Sequence, residues 1–403
     1  MAIFPVHALC RATVATVLFL ASCFVLAHAA TPTLKSNSKT IDIRDGERLL
    51  KGAWTVDPAV ALDVYDAVRT ARSKKVTFIS DIDSISFDVE PGRTYDFTIL
   101  LNEKEACRTR ISTMTQSFKR GPGAPASGPV SIPISITRGK LHLRGAINGS
   151  DTLNLIFDTG ADINAVYPSA ARAGVALKYD GTVSNVGTGG VMARQTSSSN
   201  QLDVAGLRWE HEPIMFIDKQ ADAADGIVGY TVFQEKVVEI DFDRMLMTIH
   251  DTLPTRLDGF NKVSMPFEGA LTSVGVVLGN EKSRVTGQFV LDTGGSGTMN
   301  INNAFAVANP LQDIGPTVGN SRSTGVGPGV VRNEVRLIPN ITVAGFMLRD
   351  VPVHIEQAAS GNAKVPGGSL NMEVLSRFNI ILDYSRNEAY FKPNNRFSAP
   401  FKS

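Results

Sequence analysis

Two segments of this chain carry the same short pattern. Leu155-Ile156-Phe157-Asp158-Thr159-Gly160-Ala161 recurs as Phe289-Val290-Leu291-Asp292-Thr293-Gly294-Gly295, with the two aspartates 134 positions apart. In each copy three apolar residues lead into Asp-Thr-Gly. An apolar run of this kind predicts a buried strand, and the Gly after Thr permits a sharp turn. Each copy therefore places one carboxylate where a buried strand ends. A pseudo-two-fold axis relating the copies would bring the carboxylates together as a catalytic pair.

The repetition extends beyond the two triplets. After the first comes Asp225-Gly226-Ile227-Val228-Gly229, then Val237-Val238-Glu239-Ile240-Asp241, then Met245 to Ile249. After the second comes Gly367-Gly368-Ser369-Leu370-Asn371, then Phe378-Asn379-Ile380-Ile381-Leu382-Asp383, then Glu388 to Phe391. Four landmarks in one order mark an internal repeat, which has to be recognised before any fold is assigned. Each copy also holds a Gly-rich turn. One is Gly187-Thr188-Gly189-Gly190 and the other is Gly325-Val326-Gly327-Pro328-Gly329. Both predict hairpins with mobile tips. Neither has the strand-turn-helix setting or the Lys-Ser/Thr of a phosphate loop.

These residues resemble the pepsin-like and retropepsin-like aspartic proteases over about residues 130–393. Asp158-Thr159-Gly160-Ala161-Asp162 is similar to the retroviral form. The Gly-rich hairpins resemble that group's flaps, and Asp225 to Gly229 resembles its apolar-apolar-Gly landmark. The resemblance implies an all-β, bilobal double β-barrel with a cleft between the lobes. It implies that Asp158 and Asp292 share a proton and activate water against a peptide carbonyl; this dyad is itself a standard case of paired carboxylates. Thr159 and Thr293 would lock the two aspartate loops together. Gly160 and Gly294 would let backbone N–H groups approach the carboxylates. Gly187, Gly189, Gly190, Gly325, Gly327 and Gly329 would form the substrate-covering flaps. The implied substrate is a peptide or protein. With both halves on one chain, no homodimer is required to complete the site.

Two departures from the family pattern stand out. Asn371 occupies the second landmark where Gly is usual; Asn tolerates positive φ better than other non-Gly residues, so the turn can survive, and this departure is the one that favours a non-catalytic version of the fold. Ala161 and Gly295 follow the two triplets where pepsins carry a hydroxyl. Loss of that donor predicts a less acidic dyad and a mildly acidic to near-neutral optimum. No cofactor or metal is expected. His142, His211, His250 and His354 are scattered without metal-ligand spacing.

The rest of the chain bounds the alternatives. Forty basic residues against thirty-nine acidic ones give no case for a nucleic-acid partner. Residues 1–29 have the pattern of a signal peptide, with an apolar run from Ala12 to Leu26 and small residues at Ala27 and Ala29. Export to the periplasm or medium follows, and Cys23 within Leu20-Ala21-Ser22-Cys23 gives the alternative of a lipid anchor. The run falls short of the ~20 residues a stable membrane span needs. Cys107 is then the only cysteine of the mature chain and predicts a small buried side chain.

Residues 30–113 predict a small β-sandwich-like domain, from strands such as Val76 to Ser80, Ile85 to Val89 and Tyr95 to Leu100 with the turn Pro91-Gly92. The stretch from Pro58 to Arg72 fits either a helix or a strand. Residues 114–130 predict a solvated Gly/Pro/Ser linker, with Lys119-Arg120 open to proteolytic processing. The lobes then span 131–253 and 254–403. The rival expectations are an inactive version of the fold that binds peptides or partners, and a binding role for the N-terminal domain.

Overall fold

The computed structural model describes residues 31–401, apart from 47, 68–72, 91–92, 114–117, 188–189, 220–222, 235, 269, 328 and 359–366. The signal segment with Cys23, the Pro91-Gly92 turn, residues 114–117 of the linker and flap residue Gly189 lie outside the described residues.

The described residues are mostly in strands, as expected. The N-terminal residues form two four-stranded sheets. One pairs Thr33–Ser36, Thr94–Leu101, Glu105–Ser112 and Asp63–Asp66; the other pairs Arg48–Thr55, Thr40–Asp45, Lys74–Ile79 and Ser84–Val89. Period-two alternation is the cause: Thr40–Asp45 turns Ile41 and Ile43 inward and leaves Thr40 and Arg44 outside. Those side chains meet Phe78, Phe97 and Ile99 in a core separate from that of the lobes. The stretch left open between helix and strand contains a strand, Asp63–Asp66, parallel to Glu105–Ser112. Cys107 is buried in this core.

The predicted linker differs from a solvated coil. Lys119–Arg120 is a short strand paired with Leu207 and Arg208 of the first lobe. Lys119 is ion-paired to Glu210, and Arg120 donates to the carbonyls of Pro125 and Gly128. Sheet pairing and side-chain hydrogen bonds hold this basic pair against the lobe, where composition alone pointed to a free chain. The following strand, Val130–Thr137, opens the first lobe.

Each lobe threads one strand through the same motif. In the first, Leu153–Asp158 runs parallel to Gly226–Gly229, and Asn164–Val166 lies between that strand and Leu207–Phe216. In the second, Arg284–Asp292 runs parallel to Gly368–Asn371, and Met299–Ile301 lies between that strand and Phe346–Glu356. One sheet carries strands of both lobes. Val237–Asp241 of the first pairs with Phe378–Asp383 of the second, Val238 facing Leu382. The lobe core is continuous across this sheet and includes Phe157, Phe233, Phe289 and Phe378. Each such fully buried ring contributes about 1.5–3 kcal/mol relative to exposure. Both aspartate strands pack into this one core.

Candidate active site

Asp158 and Asp292 are the last residues of their strands. Both stand over a cleft of about 480 Å³ between the lobes. A single point, where a β-carbon on Gly160 would sit, is 3.2 Å from Asp158 Oδ1 and 3.2 Å from Asp292 Oδ1. The two carboxylates therefore converge. A side chain at Gly294 would collide with the Asp158 carboxylate, so that glycine is required by space, and Gly160 leaves only tight room.

The convergence is held by a reciprocal set of buried hydrogen bonds. Thr159 N–H donates to Thr293 Oγ1 at 3.0 Å, and Thr293 N–H donates to Thr159 Oγ1 at 3.1 Å. Thr159 Oγ1–H donates to the Leu291 carbonyl at 2.6 Å, and Thr293 Oγ1–H donates to the Phe157 carbonyl at 2.7 Å. Each hydroxyl thus grips the residue just before the opposite aspartate. Losing one hydroxyl would orphan a buried N–H and a buried carbonyl at about 1–3 kcal/mol each.

The carboxylates are electrostatically unequal. Burial and the adjacent Asp292 charge push Asp158 up to about 8, against one favourable contact from Gly160 N–H at 2.8 Å. Burial also raises Asp292, but the N–H groups of Gly295 and Gly294 and a hydrogen bond from Asp158 oppose the rise. The backbone N–H donors thus favour the charged form more at Asp292 than at Asp158.

Lys140 was not foreseen. The register that sets His142 against Ile156 carries Lys140 opposite Asp158, and Lys140 lines the cleft. Its charge opposes the rise at both carboxylates. In the second lobe the matching register, with Ser273 against Val290, places Leu271 opposite Asp292.

Asn371 departs from the expected reason for its tolerance. Its φ is −103°, an ordinary extended value, so no left-handed turn is needed. It faces Asp292 as Gly229 faces Asp158. At Gly229 a β-carbon would lie 2.7 Å from the Ala161 carbonyl, so that lobe has no room. In the second lobe Asn371 is fully buried, donates from Nδ2 to the Ser296 carbonyl, and accepts from Ser369 Oγ at 2.8 Å.

The flaps are the hairpins expected. Gly181–Gly187 returns as Gly190–Val204, and Thr317–Thr324 returns as Val330–Val343. A β-carbon on Gly187 would lie 3.0 Å from Gly327 N, so the two tips touch. Arg194, 5 % exposed, donates from Nη2 to the Val326 carbonyl of the other flap at 2.8 Å and pairs with Asp218. Gly325 and Gly187 line the cleft directly.

Of the histidines, His142 contacts Asn154, His211 contacts Ser199 and His250 contacts Glu239. His354 alone among them lines the cleft, which sequence spacing did not reveal. Among the described residues no cluster of His, Cys, Asp or Glu could hold a metal ion.

The sequence of this site matches a known family. Residues 143–232, which contain Asp158, its partner strand and the first flap, match the family model for aspartyl proteases. Over this stretch the chain is similar to aspartyl proteases. No curated protein sequence matches the chain. Among solved structures, the aspartic proteinase from Irpex lacteus aligns with a TM-score of 0.46 at 11% identity, covering 68% of this chain and 100% of that one. The aspartyl protease match ends at residue 232, so Asp292 and the second flap come to the site through the fold described above.

Proposed function

We propose that the chain is an exported aspartic endopeptidase in which Asp158 and Asp292 activate a water against a peptide bond. The observation that carries this is the convergence of two buried carboxylates on one point of the cleft, fixed by the Thr159–Thr293 interlock. Two like charges this close cannot both ionise cheaply, so the pair works as a mono-anion. The N–H groups on Asp292 favour it as the ionised member. Asp292 then takes a proton from the attacking water as general base. Asp158 donates its proton to the carbonyl oxygen as general acid. As the C–N bond breaks, the proton gained by Asp292 passes to the leaving nitrogen and Asp158 takes a proton back from a hydroxyl of the gem-diol as the carbonyl re-forms, so the pair returns to its starting state. The flaps exclude bulk water and strengthen these charges in the cleft.

The rival reading, a non-catalytic binding cleft, drew its support from Asn371. The carboxamide is accommodated beside Gly295, so this departure does not favour the rival over the catalytic reading.

The test is cleavage of an unstructured protein and of peptide mixtures by the full chain, followed by mass spectrometry. The wild-type protein is expected to cut internally, and Asp158→Asn and Asp292→Asn are each expected to lose about 10²–10⁴-fold in rate. A folded wild-type protein without cleavage, or undiminished cleavage by either variant, would overturn the proposal.

A further inference from the structure

The strand registers allow the two walls of the cleft to be compared position by position. From Asp158 back by two residues, the first lobe runs across its sheet as Ile156, Ile227, Ala165 and Met215. From Asp292 back by two, the second lobe runs as Val290, Ser369, Asn300 and His354. All eight line the cleft. After the shared apolar residue, each apolar side chain of the first row faces a polar counterpart in the second. Two residues further out the contrast continues: Tyr167 and Ile217 on one side, Asn302 and Glu356 on the other.

The two walls are organised accordingly. Ile156, Ala165, Tyr167, Met215, Ile217 and Ile227 form one buried apolar cluster, joined by Val183 of the flap. On the second lobe the side chains are hydrogen-bonded to each other. His354 Nδ1 and Ser321 Oγ are 2.8 Å apart, Asn333 Nδ2 donates to Ser323 Oγ at 2.7 Å, and Ser369 Oγ donates to Asn371 Oδ1. Ser369 Oγ therefore keeps its lone pairs for a guest, and Asn300 offers both a donor and an acceptor. Burial lowers the basicity of His354. Glu356 stands on this wall and opposes a guest carboxylate.

Resting on the proposed protease activity, we infer that substrate selection is asymmetric about the scissile bond. The first lobe takes an apolar side chain of the Leu, Met or Phe kind. The second lobe takes an uncharged hydrogen-bonding side chain, a carboxamide or a hydroxyl. An apolar guest on the second wall would leave Asn300 and Ser369 desolvated without a partner, which a polar pocket rejects far more strongly than an apolar pocket rejects a size change.

The test is a peptide library varied at both residues flanking the cut, read by mass spectrometry, with kcat/KM measured for the best pair. An apolar residue on one side and Asn, Gln, Ser or Thr on the other are expected, with at least about ten-fold preference over apolar-apolar peptides. The variant Asn300→Ala/Ser369→Ile/His354→Met gives the second wall the residues of the first. It is expected to prefer apolar residues on both sides, and the single variant Asn300→Ala, measured alongside, to lose most of the discrimination. Cleavage by the wild type with apolar residues preferred on both sides, or with a charged residue preferred at the second wall, overturns this inference and leaves the protease reading standing. So does an unchanged preference in Asn300→Ala. No cleavage of any library member by folded wild type sinks the protease reading itself.

Discussion

Asn371 Oδ1 lies 2.8 Å from the point that a β-carbon on Gly295 would occupy. The carboxamide of one residue fills the space left by the missing side chain of the other. The same point is 2.6 Å from Asp292 Oδ2, so the pair also shapes the carboxylate's surroundings. Gly295→Ser alone is expected to destabilise the protein by about 1–3 kcal/mol through overpacking. Adding Asn371→Gly opens room for the carboxylate to shift, and the double variant is expected to recover most of that loss. Urea unfolding of the two single variants and the double gives the coupling. Additive effects would show that the two residues do not compensate.

Protonation of Asp158 has a consequence for stability. Asp158 is raised from 3.8 to about 8 on folding. Between those values the folded chain binds a proton that the unfolded chain has released. Stability from this group is therefore full below about pH 4 and is lost as pH rises toward 8. Asp158→Asn removes the dependence. Relative to wild type, the variant is expected to gain stability steadily from pH 4 to pH 8, while losing cleavage. Urea midpoints at three pH values across that window check the sign; a gain that shrinks with rising pH would contradict it. The same assignment predicts that cleavage declines above about pH 8, when Asp158 no longer holds its proton.

Lys140 provides a charge in the cleft that opposes the rise at both carboxylates. Lys140→Met keeps a similar stem and removes that charge. Both carboxyl pKa values then rise, so both limbs of the pH–rate profile are expected to move to higher pH. A Lys140→Arg variant should leave the limbs in place, which separates the charge from the packing of the side chain. Movement of the Met profile toward acid would reverse the assignment.

The parts of this site visible in the sequence are those written into local backbone chemistry. Asp-Thr-Gly after an apolar strand, the Gly-rich flap turns and the alternating strands of the N-terminal domain each declare themselves within a few residues. What escaped depends on register between distant segments. Ala165 stands beside Met215, and Asn300 beside His354, only once parallel pairing is fixed across about fifty residues. Lys140 reaches Asp158 in the same way, through the hairpin that sets His142 on Ile156. Lys119-Arg120 looked like free linker because its partners, Leu207 and Arg208, lie far along the chain. Asn371 was judged by its φ, whereas the deciding quantity is the space vacated by Gly295.

Arg194 makes the flaps a coupled pair. Its guanidinium is buried, yet it spans from one hairpin to the Val326 carbonyl of the other, and Asp218 anchors it. Asp218 is 69% exposed in its side chain, so the ion pair itself contributes little. The hydrogen bond across the flaps is the stronger term, about 1.5–3 kcal/mol for a charged donor. Arg194→Met keeps the apolar stem and loses the bridge. The flaps are then expected to part more often, raising KM by about ten-fold or more while kcat changes less, since the carboxylates are held by the threonines and not by the flaps. Limited proteolysis should cut the hairpin around residues 187–190 faster in the variant, with unfolding in urea nearly unchanged. An equal fall in kcat with KM unmoved would place Arg194 in the chemical step instead, and unchanged proteolysis would mean that the tips stay closed without it.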